Sequence, residues 1–306
     1  MSARIPGRFG AVLTAMVTPF DLEGRVDLDA VGALARWLAD NGNDGLVVTG
    51  TTGESPVLTD QEKADVWRAA CEAVTIPIIA GAGTNDTAHS IELTKIAEAA
   101  GAAGILAVTP YYSRPSQAGL YAHFAAVAGA TSLPVMLYDI PIRTGREIQH
   151  DTFVRLTRDV PNILANKDAK KDPAAAARLL RDAPEAFEVY SGDSSFTLPL
   201  LAVGASGIVG VASHWSGRAQ QEMIAAFASG DTDRAREINA QLLSSYDFEG
   251  ADDHPNPIPT KVIMNELGVG VGECRLPMGP PPDGLAAQAR ALLDSLGPLA
   301  PNRLAP

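Results

Sequence analysis

The sequence predicts an α/β protein, a (β/α)8 TIM barrel followed by a C-terminal helical domain. Three observations predict it. Short apolar runs recur roughly every 25–35 residues, the length of one strand-plus-helix unit. Eight such runs precede a tail that reads as helices alone. Several runs, among them LVV, PIIAG and ILAV, are apolar on both faces, as strands covered on both sides by helices must be.

Strands are expected at 11–18, 45–49, 76–80, 105–109, 135–138, 163–167, 188–191 and 207–211. The longer stretches between them read as helices. Thr59 and Glu62 make a capping-box pattern (TDQE) ahead of a helix reaching about Val74. Thr87 or Ser90 opens the next, which runs through Ala100 and stops at Gly101. Residues 116–130 are alanine-rich and are followed by Pro134. Asp172 and Pro173 pair an N-cap with a first-turn proline, opening an alanine-dense helix to about Arg181. Further helices follow Ser194 and Ser216. The tail predicts helices at 231–246, 257–267 and 284–295, with the proline-rich strip 275–282 between the last two. The barrel is therefore assigned to residues 1–230 and the helical domain to 231–306, packed on the barrel. A doubly wound open sheet is the alternative architecture. It normally announces a G-x-G-x-x-G turn after its first strand, and here that strand leads into TPFDLEGRVD.

Composition narrows the function. The 306 residues carry 24 Lys plus Arg against 36 Asp plus Glu, a formal charge of −12. Such a surface excludes general affinity for nucleic acid or anionic membrane. No run approaches the ~20 apolar residues of a membrane span. The opening MSARIPGRFGAV lacks the apolar stretch of a signal peptide, so a cytoplasmic location is expected. Cys71 and Cys274 are too few for a disulfide framework, and the five histidines show no metal-ligand spacing. No G-x-S-x-G elbow supports serine catalysis.

In such barrels the reactive groups lie at the carboxyl ends of the strands. GTTGES (50–55), TPYY (109–112), YDIPIRT (138–144), NKD (166–168) and SGD (191–193) all fall on that rim. Lys167 is the sharpest of these residues. It closes an apolar strand, and alternation places it on the side of Ile163 and Ala165, directed into the barrel. Desolvation there frees the amine, and a neutral amine condenses with a ketone to a Schiff base. The bland reading is a strand-end lysine reaching solvent or pairing with Asp168 or Asp193. Lys63, Lys95 and Lys261 fall in helical stretches, where solvated lysines are expected, and Lys170 and Lys171 in a charged loop. Tyr138 either shuttles protons beside Lys167 or is an amphipathic core residue. Thr51 and Thr52 sit in a glycine-flanked turn that brings hydroxyls close to a ligand or merely caps a helix. Arg143 can fork onto a carboxylate, although most loop arginines are solvated. The glycine pairs at 81–84 and 204–207 are too short to define a phosphate site.

Taken together, GTTGES, TPYYSRPSQAGL, YDIPIRTG, NKDAK and SGD, in this order and spacing, resemble the dihydrodipicolinate (4-hydroxy-tetrahydrodipicolinate) synthase family. The likeness runs from the TPF near Phe20 to NPIPTK and RLPM in the tail, and ESP, YDIP and KDAK look most like actinobacterial members. It implies a homotetramer, a dimer of dimers, that condenses pyruvate with L-aspartate 4-semialdehyde on the route to diaminopimelate and lysine. No cofactor or metal is implied beyond the covalent imine. Lys167 matches the Schiff-base lysine, Tyr138 the proton-transferring tyrosine and Thr52 the relay threonine beside it. Tyr112 matches a tyrosine inserted into the neighbouring subunit's site. Thr51 is expected to contact the pyruvate carboxylate with Thr52, and Arg143 to receive the semialdehyde's carboxylate. Gly192 and Val209 match further substrate-binding positions.

Some positions depart from the family pattern. Asn166 stands where an apolar residue is usual, and by alternation should face the helix layer. Ser194 replaces a common second Asp. Trp215 is unusually bulky for the eighth loop, and the acidic stretch 247–253 is extended; both bear on access to the site. In lysine-inhibited members the effector site lies at the dimer interface. Pro56, Lys63 and His89 match its positions here, so weak or absent feedback by lysine is expected. The alternative within the superfamily is another pyruvate-dependent class I aldolase, of the N-acetylneuraminate lyase or 2-keto-3-deoxy-sugar-acid aldolase type. Arg143 and the Tyr111–Tyr112 pair argue against it, because sugar acids need neutral polar partners there. A non-catalytic sensing barrel is the other alternative, and it predicts loss of a reactive set that is present in full.

Overall fold

Eight parallel strands hydrogen-bond in sequence order and close on themselves: β1 (Val12–Ala15), β2 (Gly45–Val48), β3 (Ile78–Gly81), β4 (Gly104–Val108), β5 (Val135–Asp139), β6 (Ile163–Asp168), β7 (Glu188–Ser191) and β8 (Gly207–Gly210). This computed structural model describes residues 5–302 and 304. Residues 1–4, which begin the segment read as no signal peptide, lie outside them, as do 303, 305 and 306 at the end of the expected helical domain. Around the barrel run α1 (Leu28–Asp40), α2 (Asp60–Ala73), α3 (Thr87–Ala99), α4 (Gln117–Ala128), α5 (Pro141–Thr144), α6 (His150–Asp159), α7 (Pro173–Asp182), α8 (Thr197–Ala202) and α9 (Ser213–Ser229). The tail adds α10 (Thr232–Phe248), α11 (Ile258–Glu266) and α12 (Leu285–Leu296). No helix among the described residues is long and apolar enough to cross a membrane.

Local chemistry sets the helix ends. The capping box at α2 has both arms: Glu62 N donates to the Thr59 hydroxyl, and Thr59 N donates to the Glu62 carboxylate at 2.8 Å. Asp172 accepts from Ala175 N at 2.9 Å ahead of Pro173. The cap of α3 is Asp86, one residue before the expected start, and Ser90 lies inside the helix. Its carboxylate accepts from Ala88 and His89 N–H groups, a stronger arrangement than a threonine hydroxyl offers. α9 starts at Ser213 rather than after Ser216, which sits inside it as a kink (φ −138°, ψ 21°). The Ser216 hydroxyl donates back to Ala212 O at 2.7 Å, a bond that bends helices.

Alternation sorts the strands into two cores. Leu13, Val47, Ile79, Leu106, Met136, Ala165 and Val209 fill the barrel, while their neighbours pack against the helices. One expectation fails. Val135 pairs with Ile163 but Met136 pairs with Ala165, so β6 carries an extra residue at Leu164. The bulge turns Ile163 to the helix side, whereas Ala165 stays inside the barrel. Lys167 keeps its inward aspect because it lies beyond the bulge.

The amino end of the barrel is sealed. Phe9 lies under Gly104, where an added Cβ would come within 2.9 Å of its ring. Glu188 binds the Tyr190 hydroxyl at 3.1 Å and the Arg8 guanidinium at 3.4 Å. The carboxyl end opens into a cavity. The tail is fixed beside it, with Phe20 N donating to Val271 O at 3.2 Å. Trp215 belongs to this packing and not to the mouth. It is buried, donates Nε1–H to Ser245 at 3.1 Å and meets the Phe248 ring edge-on. Its expected influence on access is thus corrected: it locks α9 to α10.

Candidate active site

The loops after β2, β4 and β5 enclose a cavity of ≈ 390 Å³, lined in part by Thr51, Tyr111, Tyr112, Tyr138 and Arg143. Lys167, Thr52, Gly192 and Val209 stand outside this lining. The register sets Tyr138 beside Lys167 on adjacent strands, and the Lys167 Nζ lies 4.3 Å from the centroid of the phenol ring. The amine is therefore close behind the cavity wall. Val209, on β8, belongs to the same barrel-interior cluster as Tyr138. Gly192 follows β7 directly, its N–H donating to Asp168 O at 2.7 Å.

Both reactive groups are shaped by burial. Desolvation lowers the Lys167 pKa to about 7; the Arg143 charge pushes the same way, and Glu249 opposes it. Burial pushes the Tyr138 phenol up to about 12, which Arg143 and a hydrogen bond with Thr51 partly offset. The pair thus combines an amine that is substantially neutral near pH 7 with a phenol that holds its proton. The bland alternative for Lys167 does not apply. Among the described residues its side chain makes no ion pair, because Lys171 takes Asp193 at 2.7 Å and the Lys170 backbone takes Asp168 at 2.9 Å.

The threonine pair is corrected. The hydroxyl against Tyr138 belongs to Thr51, not to Thr52. Thr52 turns to the tail, where its oxygen accepts from Asn256 Nδ2 at 3.0 Å. The cause is the backbone of this turn: Thr49 (φ 56°) and Glu54 (φ 58°) are both left-handed, so simple alternation stops at Val48. Tyr112 (φ 72°), Arg114 (φ 48°) and Lys171 (φ 62°) complete the set of described non-glycine residues with positive φ. All five lie in loops at the carboxyl end, where held backbone strain marks functional loops. Tyr112 projects from the mouth, 91 % exposed, and Arg143 beside it is exposed as well.

Two lysines read as solvated are buried. Lys63 is buried within α2, and desolvation lowers its pKa. Lys261, 2 % exposed, pairs with Glu54 at 2.8 Å, donates to Glu273 O and sits 4.0 Å from the Phe20 ring centre. Arg275 N holds the other Glu54 oxygen at 2.9 Å, and its guanidinium grips Glu62. Helical spacing shows which residues share a face but not which face a distant segment covers. Asn166 does face the helix layer, fully buried, with neither amide atom bonded to protein.

Sequence reasoning also missed Glu54, Asn256 and Glu249. Glu249 lies in the extended acidic stretch, yet it turns inward to accept from Ala212 N at 2.8 Å. Burial raises its pKa to about 7, and the Ser194 hydroxyl beside it works the other way. The Glu249 charge raises the Lys167 pKa, against the effect of burial. Asn256 had a signal in NPIPTK, since Asn-Pro starts turns. A desolvated amine, a protonated phenol and an exposed arginine around one cavity can form an imine with a keto acid and accept a second anion.

Comparison with known proteins gives the same direction. The sequence pattern of the Dihydrodipicolinate synthetase family matches residues 8–295. The 4-hydroxy-tetrahydrodipicolinate synthase of Moorella thermoacetica is 49 % identical over 273 residues, 89 % of this chain and 92 % of that enzyme. That of Acidothermus cellulolyticus is 51 % identical over 275 residues, 89 % of this chain and 88 % of its own. The crystal structure of a dihydrodipicolinate synthase from Bacillus anthracis superposes with a TM-score of 0.91 at 43 % identity, covering 94 % of this chain and 99 % of that one.

Proposed function

Because the chain belongs to the Dihydrodipicolinate synthetase family, we propose that its cavity condenses pyruvate with L-aspartate 4-semialdehyde through a Schiff base on Lys167. The observation that carries this reading is the Lys167–Tyr138 pair, an amine lowered to about 7 at 4.3 Å from the ring of a phenol raised to about 12. The neutral amine attacks the pyruvate ketone, and loss of water gives a protonated imine. That imine is an electron sink, so the methyl group loses a proton and becomes an enamine nucleophile. Its attack on the aldehyde forms the new carbon–carbon bond, and the substrate's amine then displaces Lys167 by cyclisation. Tyr138, with Thr51, supplies and takes up the protons. Arg143 receives the carboxylate of the semialdehyde.

The proposal extends to a cytoplasmic homotetramer needing no cofactor, with Tyr112 reaching into a neighbouring subunit's site. The exposure of Tyr112 supports the last of these. Borohydride reduction with pyruvate, peptide mapping and an assay with aspartate 4-semialdehyde test the reading. Label on Lys167 and turnover of the semialdehyde are expected. No adduct on Lys167 overturns the mechanism, and an adduct without turnover of the semialdehyde points to a sugar-acid aldolase.

A further inference from the structure

We infer that Asn256, in the tail, is a positioning residue that presets the Thr52 hydroxyl as a hydrogen-bond donor to the pyruvate carboxylate. A hydroxyl has one proton to give and lone pairs to fill. The Asn256 amide donates to the Thr52 oxygen at 3.0 Å, filling its acceptor side. The amide is also held from behind, where Thr260 donates its hydroxyl to Asn256 Oδ1 at 3.2 Å. Thr52 is 3 % exposed, and among the described residues its side chain has no acceptor for the remaining proton. A buried donor without a partner is costly, so the turn is built to receive an acceptor.

The grip on this turn is double. Lys261, one position after Thr260 on α11, pairs with Glu54, two positions after Thr52. Helix α11 therefore holds the turn at its hydroxyl and at its carboxylate. Thr51, next in the chain, stands in the cavity wall against Tyr138. The two neighbouring hydroxyls thus divide the work: Thr51 serves the proton path, and Thr52, oriented by Asn256, holds the keto acid. This places a binding determinant for the first substrate in the C-terminal helical segment rather than in the barrel.

The inference rests on the imine reading above, and its test separates the two. Kinetics are measured for wild type, Asn256→Ala, the isosteric Asn256→Asp, Thr52→Val and the Thr52→Val/Asn256→Ala double variant. Asn256→Ala is expected to raise KM for pyruvate about tenfold, with KM for the semialdehyde unchanged and kcat within about threefold. Asn256→Asp should be worse, since its carboxylate draws the Thr52 proton away from the substrate. The double variant should match Thr52→Val alone, because Asn256 acts through that hydroxyl. Unchanged KM for pyruvate, an equal loss for both substrates, or additive effects in the double variant would overturn the inference. Absence of a borohydride-trapped adduct on wild-type Lys167 would instead overturn the reading on which it stands.

Discussion

At the scale of single residues, the amine of Lys167 is the group on which the chemistry turns, and its environment makes a pH prediction. Burial and the Arg143 charge both lower its pKa, to about 7. The rate of imine formation should therefore rise as pH climbs through about 7 and level off above it, where the amine is neutral. Arg143→Ala removes a positive charge, so the lysine pKa rises and the profile moves to higher pH. The same variant should raise KM for the semialdehyde by about tenfold or more through loss of a charge-assisted fork. A profile that stays in place in Arg143→Ala would show that the arginine does not reach Lys167. Much of this was legible in sequence, because a lysine ending an apolar strand has few innocent roles. Which of two adjacent threonines faces Tyr138 was not legible. That choice depends on left-handed dihedrals at Thr49 and Glu54, and no residue-type preference announces them.

Among elements, the junction between the β2 loop and α11 holds the most deeply buried ion pair of the described residues. Glu54 and Lys261 are each 2 % exposed in their side chains and 2.8 Å apart. Breaking such a pair leaves one charge uncompensated in a dry site. Lys261→Met should destabilise the fold by ~3–5 kcal/mol in denaturant unfolding, and adding Glu54→Gln should recover part of the loss. A loss below ~1 kcal/mol would mean that the carboxylate finds water or a second partner. The helix pattern of 257–267 was readable, yet the burial of Lys261 was not, since the covering groups Phe20 and Glu54 lie more than 200 residues away in sequence. Helix α2 gives the complementary case. Lys63 is buried and has its pKa lowered by desolvation, while its neighbour Asp60 is held by His89 at 2.9 Å. A cationic amino acid arriving there would meet a lysine, with the Asp60 carboxylate already engaged. Added lysine should accordingly give half-maximal inhibition only at millimolar concentrations or above. Submillimolar inhibition in steady-state assays would reject this account of the site.

At the scale of the whole molecule, the barrel is complete in one chain, but the proposal draws Tyr112 from a second. Tyr138 and Thr51 line the cavity with Lys167 close behind, whereas Tyr112 stands out from the mouth, 91 % exposed and held in a left-handed conformation. A large aromatic side chain kept in solvent by a strained backbone is poorly explained within one subunit. Under the proposed dimer, two-fold symmetry would bring each site its partner's tyrosine. The strand pattern could predict the barrel because strand pairing is repetitive. It could not show this exposure, which depends on where the loop after β4 points. Subunit mixing provides the test. Lys167→Ala should be inactive alone, and Tyr112→Phe should lose on the order of 10²-fold in kcat if its phenol relays protons. In a mixed dimer, the site that keeps Lys167 receives an intact Tyr112 from the Lys167→Ala subunit. Random exchange makes about half of the dimers mixed, each with one working site, so activity should recover to about a quarter of wild type. Recovery that fails despite demonstrated subunit exchange would place Tyr112 in its own subunit's chemistry, or outside the chemistry altogether.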